Sequence, residues 1–180
     1  MARGPRDKAA GIFHVYTHAA KSDNVFRDDL DRIVFLRELA RARTKAEWRC
    51  LAYCVMTTHY HLLLEVDDNA LPVGMQALNF RYAVAFNARH GTRGHVFASR
   101  YDARRISDDA HLMVAYRYIA LNPVKAGMCE EPAGWVWSSY AGAIGSVEPA
   151  TFVASSRILE CFGGAPELAR ARLRAFVEIS

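Results

Sequence analysis

Residues 11–18 read Gly-Ile-Phe-His-Val-Tyr-Thr-His, in which β-branched and aromatic residues partly alternate with polar ones, the pattern of a strand. Asp28 and Asp29 then precede Leu30, Ile33, Val34, Leu36 and Leu39 at helical spacing, and Arg41, Arg43 and Lys45 follow. Acids first and bases last complement the helix dipole, so an amphipathic helix is predicted over 28–44. Two apolar runs, 48–56 and 59–66, flank Thr57-Thr58. A single strand of that length would be unusual, so a hairpin is expected. Asp67, Asp68 and Asn69 should end the second strand and cap a helix whose Leu71, Met75, Leu78, Tyr82 and Phe86 form one stripe, stopped by His90-Gly91. Residues 94–106 read as further extended chain. Ser107-Asp108-Asp109 caps a third helix, expected to stop near Asn122 because Pro123 disfavours helical geometry at the residue before it.

The predicted order is β-α-β-β-α-β followed by a helix. That is the split βαβ plan of ferredoxin-like α+β domains, an antiparallel sheet with helices packed on one face. Trp135-Val136-Trp137-Ser138-Ser139-Tyr140 is apolar enough to dock back onto the domain. Past 146 the texture changes: Ile158, Leu159 and Phe162, then Leu168, Leu173, Phe176 and Val177, suggest two short helices separated by Gly163-Gly164. The expected division is a flexible basic N-terminus over 1–10, one domain over 11–145 and a helical C-terminal extension over 146–180. A length of 180 residues suits a single core.

Composition narrows the function classes. With 52% apolar and 23% charged residues the chain is neither disordered nor fibrous. No run approaches the roughly eighteen apolar residues of a membrane span, and the first residues lead into no apolar signal segment. The expected location is the cytoplasm. Of the 23 basic residues all but Lys8, Lys21, Lys45 and Lys125 are arginine, and the formal net charge is +4. Between 81 and 105, Arg81, Arg89, Arg93, Arg100, Arg104 and Arg105 face only Asp102. Guanidinium forks match phosphate oxygens, so this stretch leans toward a polyanionic partner, though charge alone favours a solvated surface. Cys50, Cys54, Cys129 and Cys161 lack the tight spacing of a secreted disulfide framework and are expected reduced. Cys50 and Cys54, on one face of a strand, would offer a zinc site with His59 and His61. The histidines fall on the next strand, however, which favours buried structural cysteines.

Two constellations carry candidate chemistry. His59-Tyr60-His61 places two imidazoles on the same side of a strand, a two-ligand start on a divalent cation site. Spacing alone favours a hydrogen-bonded or exposed pair. Leu62-Leu63-Leu64 marks the strand as interior, which makes two imidazoles costly without a partner. On the third helix, at about 100° per residue, His111, Ala115, Tyr118 and Asn122 form one stripe, while Leu112, Tyr116 and Ile119 form an apolar flank. A phenol on that stripe can act as a covalent nucleophile, and Asn122 offers an oxygen of the kind hard cations accept. Spacing alone favours the reading in which both tyrosines pack and Asn122 merely ends the helix.

A resemblance tips these balances. Met56-Thr57-Thr58-His59-Tyr60-His61-Leu62-Leu63-Leu64 is similar to the Met-Pro-Asn-His-x-His-Leu-Leu-Leu stretch of REP-associated tyrosine transposases, relatives of the IS200-like single-tyrosine transposases. Arg117-Tyr118-Ile119-Ala120-Leu121-Asn122-Pro123-Val124-Lys125-Ala126-Gly127 resembles their Arg-Tyr-Ile-His-Leu-Asn-Pro-Val-Arg-Ala-Gly signature. Trp137-Ser138-Ser139-Tyr140 and the Gly94, Phe97, Arg100, Tyr101 pattern resemble two further family stretches. This sequence departs from the family with Thr57-Thr58 for Pro-Asn, Tyr60 for an aliphatic residue and Ala120 for His.

The resemblance implies a nuclease and strand transferase of the histidine-hydrophobe-histidine class, acting on single-stranded or hairpin-bearing DNA. By position it implies His59 and His61 as ligands of Mg²⁺ or Mn²⁺ and Tyr118 as the nucleophile. Asn122 holds the place of a further polar ligand, and Tyr116 is the rival nucleophile. The product would be a 5′-phosphotyrosine with a free 3′-hydroxyl. DNA contacts should fall to Arg100, Arg104 and Arg105, with Arg81, Arg89 and Arg3 in support. Relatives act as monomers or as homodimers. A replication-initiator or relaxase-like nuclease would use the same groups, and a catalytically silent ferredoxin-like module would bind DNA without them.

Overall fold

The computed structural model describes residues 9–19 and 24–179; the basic residues 1–8, with Arg3, lie outside the described residues. Four strands, β1 (Gly11–His18), β2 (Arg49–Val55), β3 (His59–Val66) and β4 (Asp102–Arg105), form one antiparallel sheet in the order β2-β3-β1-β4. This is the expected ferredoxin-like arrangement. α1 (Asp29–Ala46) and α2 (Ala70–His90) pack on one face of it, as that plan requires. α3 (Asp109–Lys125) covers the opposite face, joined there by α4 (Tyr140–Ala143), α5 (Ser156–Glu160) and α6 (Pro166–Glu178). No helix among the described residues is long and apolar enough to cross a membrane.

Strand alternation sorts β3 between two cores. Tyr60, Leu62, Leu64 and Val66 face α1 and α2, whereas Leu63 and His61 face α3. Burial on both sides explains the unbroken apolar run. β2 and β3 are joined by the two-residue turn Thr57-Thr58, closed by Met56 N donating to the His59 carbonyl at 2.9 Å. Neither threonine has a positive φ, so the turn is not of a primed type, and its carbonyls are tied instead by Ala19 N and Phe26 N.

Several details differ from the sequence pattern. β2 carries a bulge between Cys50 and Ala52, so Cys50 enters the α1/α2 core and Cys54 the α3 core. The two cysteines therefore do not share a face, because one extra residue reverses the alternation. In α1 the buried stripe is Phe35, Leu39 and Ala42, while Leu30 and Ile33 are exposed. Buried Asp31, held by Arg89 and His90 of α2, and Arg32, lying over the Trp135 and Trp137 rings, set that rotation. Asn69 makes no side-chain cap; it sits in the left-handed region, and Ala70 N is met by the Asp67 carbonyl instead. Of the extended segment 94–106 only Asp102–Arg105 pairs as a strand.

α3 does not stop near Asn122 but runs through Pro123 to Lys125. Proline loses a single N–H in the final turn, and the carbonyls of Asn122, Pro123 and Val124 are met by Ala126 N, Met128 N and Gly127 N. The outer edge of β2 is covered by the 137–139 and 153–154 segments: Val55 N donates to the Trp137 carbonyl at 2.9 Å and Ala154 N to the Cys50 carbonyl at 2.7 Å.

The packing of α2 against Trp48, which precedes β2, depends on Gly74. A Cβ built there would stand 2.0 Å from the buried Trp48 indole. Gly74→Ala is therefore expected to lower unfolding free energy by about 1–3 kcal/mol, despite the better helix propensity of alanine. Urea denaturation checks this, and unchanged stability would contradict the packing.

Candidate active site

Between the sheet and α3 lies a cleft of about 590 Å³ lined by residues of β1, β3, β4 and α3. β3 presents His59 and His61 two residues apart on one face, with ring centroids 5.0 Å apart and planes at 83°. Asn122, one turn beyond Tyr118 on α3, reaches both. Its Oδ1 is 3.3 Å from His59 Nε2 and its Nδ2 is 3.3 Å from His61 Nε2. The outer ring nitrogens are held as well. His59 Nδ1 lies 3.0 Å from Thr58 Oγ1, and His61 Nδ1 lies 3.0 Å from Nε2 of His14 on β1.

The two tyrosines of α3 have different surroundings. Tyr118 is 43% exposed, lines the cleft and stands edge-on to His61 at 5.4 Å between centroids. The Lys125 ammonium lies 5.7 Å from its ring, one face of which it covers. Tyr116, about 200° round the helix, is 1% exposed in the α3 core, where its hydroxyl has no hydrogen-bond partner and burial pushes its pKa up. Removing that orphaned hydroxyl with Tyr116→Phe is expected to leave stability unchanged or raise it by about 1 kcal/mol, read by thermal or urea melts. A loss above about 1 kcal/mol would contradict this placement.

The electrostatics of the cleft are uneven. His14 has its pKa lowered to about 4, first by burial and then by the positive charges of Arg104 and His111, so it is neutral across the ordinary pH range. Arg104 lines the cleft, with its guanidinium 5.9 Å from the Tyr16 ring.

The structure brings together His59, His61, Tyr118, Asn122 and Arg104, and among the described residues it leaves the other candidate arginines elsewhere. Arg105, next to Arg104 on β4, points to the opposite face over Phe13, since consecutive strand residues alternate, and donates to the Ala10 carbonyl at 2.7 Å. Arg100 lines a different cleft, between α2 and the 94–101 segment. Arg81 of α2 stands 4.0 Å from Glu38 of α1. Arg89 joins Asp28 and Asp31 in an ion pair that ties α2 to α1. Cys50 lies on the far face from His61, and burial raises its thiol to about 12, so Cys50 and His61 do not meet at one site. Among the described residues no group of three or more His, Cys, Asp or Glu side chains is arranged so that it could hold a metal ion by itself.

The donor set nonetheless fits a divalent cation. Both imidazole Nε2 atoms face the Asn122 amide, Oδ1 toward His59 and Nδ2 toward His61; with that amide turned to offer its oxygen, an octahedral ion would keep three positions for water and phosphate oxygens. Sequence reasoning missed Thr58, His14 and Tyr16 and gave Lys125 no role. The alternation of β1, which puts Ile12, His14 and Tyr16 on one face, is the signal that could have found the strand residues.

Comparison with known proteins adds three findings. The family model described as "Transposase IS200 like" matches residues 9–122. A solved structure of a REP-associated tyrosine transposase bound to a REP hairpin superposes with a TM-score of 0.69 at 13% identity, over 84% of this chain and 90% of that one. A transposase of Deinococcus radiodurans aligns with a TM-score of 0.46 at 16% identity, over 71% of this chain and 98% of that one. None of the curated proteins matches the chain in sequence.

Proposed function

Because the chain belongs to the IS200-like transposase family, we propose that it cleaves and rejoins DNA through a covalent link to Tyr118, at a divalent cation held by His59, His61 and Asn122. The supporting observation is the convergence of both Nε2 atoms on the Asn122 amide beside the one α3 tyrosine that opens onto the cleft.

In this reading Tyr118 Oη gives up its proton and attacks the phosphorus of a backbone phosphodiester. The P–O3′ bond breaks and the departing oxygen takes a proton, leaving a free 3′-hydroxyl and a 5′-phosphotyrosine. One diester replaces another, so a 3′-hydroxyl from a second strand can reverse the attack without ATP. A bound Mg²⁺ or Mn²⁺ would neutralise the charge that gathers on the phosphoryl oxygens. His59 and His61 would offer Nε2, and Asn122 would turn Oδ1 toward the same point. Arg104, which lines the wall of the cleft, would hold a phosphate of the same strand. Single-stranded DNA carrying a hairpin is the proposed substrate, since a relative of this fold is bound to a REP hairpin.

Incubation with labelled single-stranded hairpin DNA and Mn²⁺ tests the proposal. A protein–DNA complex that survives denaturation and disappears with chelator is expected. Binding of the hairpin with no covalent complex, in Mg²⁺ or Mn²⁺, would contradict it and favour a silent binding module.

A further inference from the structure

We propose that His14 is a positioning residue for His61: it accepts the His61 Nδ1 proton and so keeps the Nε2 lone pair facing the cation site. This rests on the cation reading above. β1 and β3 pair with Tyr16 opposite His61 and His14 opposite Leu63, which makes His14 the diagonal neighbour of His61 on the same face. The orientation of the Asn122 amide assigns the proton. His61 Nε2 is 3.3 Å from Asn122 Nδ2, a group that only donates, so Nε2 carries the lone pair and Nδ1 the hydrogen. That hydrogen points at His14 Nε2, 3.0 Å away.

Burial makes the acceptor matter. His61 is 3% exposed, so water cannot readily replace His14. Without an acceptor, the Nδ1 hydrogen is stranded or the proton moves to Nε2, where it blocks the cation. The His14 ring is itself kept in place by Tyr16 and Tyr118, at 5.3 and 5.8 Å between centroids. At His59 the same amide turns Oδ1 to Nε2, which puts the hydrogen on Nε2, so His59 must shift its proton to Nδ1 before it can hold a cation. Its outer nitrogen meets the Thr58 hydroxyl, which can donate or accept and therefore serves either tautomer.

The test uses ¹⁵N NMR of the His61 ring in the metal-free protein, together with Mn²⁺ affinity by calorimetry, for the wild type, His14→Phe and His14→Gln. Wild-type protein is expected to show a protonated Nδ1 and a bare Nε2 at His61. In His14→Phe the proton should redistribute to Nε2 and Mn²⁺ affinity should fall about 10–100-fold. In His14→Gln, whose side-chain oxygen can accept, most of the affinity should return. A wild-type His61 protonated on Nε2 would overturn the proposal without any variant. So would a folded His14→Phe protein that keeps the Nδ1 proton and wild-type affinity. If wild-type protein binds no Mn²⁺, the cation reading fails, and the tautomer measurement still decides the role of His14.

Discussion

Tyr118→Phe is expected to abolish the covalent protein–DNA complex and to lower strand cleavage by a factor on the order of 10⁴–10⁶, the scale seen when a covalent nucleophile is removed. Phenylalanine keeps the ring that stands against His61 and His14, so the cleft and the fold should persist, and hairpin DNA should still bind. Gel resolution of the denatured complex measures the first effect, and fluorescence anisotropy of labelled DNA the second. Tyr116→Phe is the matched control. Its hydroxyl is sealed in the α3 core, and cleavage should continue at close to the wild-type rate. Loss of the adduct in Tyr116→Phe but not in Tyr118→Phe would place the nucleophile on the other side of the helix.

The second large effect concerns the imidazoles. His59→Ala and His61→Ala should each lower Mn²⁺-dependent cleavage by on the order of 10²–10³-fold, the loss of about 3–4 kcal/mol of transition-state stabilisation. Single-turnover cleavage measures this, with Mn²⁺ titration separating weakened cation binding from impaired chemistry. The two variants should be strongly non-additive, because either change already breaks the cation site. His61→Ala should cost stability as well, since it opens space at a position 3% exposed and frees His14 Nε2 from its partner. Partly exposed His59 should cost less. Undiminished cleavage in both variants would remove the histidines from the mechanism.

Much of the fold and of the site was legible in the sequence because the decisive patterns are local. His59 and His61 fall on one face of β3 simply because strand side chains alternate, and the leucines that follow mark a strand buried on both sides. Tyr118 and Asn122 share a helical stripe, whereas Tyr116 falls on the apolar flank, and the structure keeps that separation. What escaped depends on contacts remote in sequence or on a single inserted residue. The bulge after Cys50 reverses which core that thiol enters. The arginine-rich 81–105 segment looks like one basic surface, but Arg81 and Arg89 serve the α1/α2 contact and Arg105 turns away from Arg104. α3 passes Pro123 because the following backbone satisfies its last carbonyls, so Asn122 lies within the helix and does not terminate it. His14 is drawn to His61 by the β1–β3 register, across 47 residues of sequence, which no local pattern announces.

The proposed mechanism requires that Tyr118 be the side chain joined to DNA, and peptide mapping of the trapped complex tests that directly. Arg117 lies between the two tyrosines of α3, so trypsin separates them into different peptides. Mass spectrometry after nuclease and trypsin digestion should find the nucleotide remnant on the peptide that begins at Tyr118. A remnant on the Tyr116 peptide, or on any residue outside the cleft, would contradict the account.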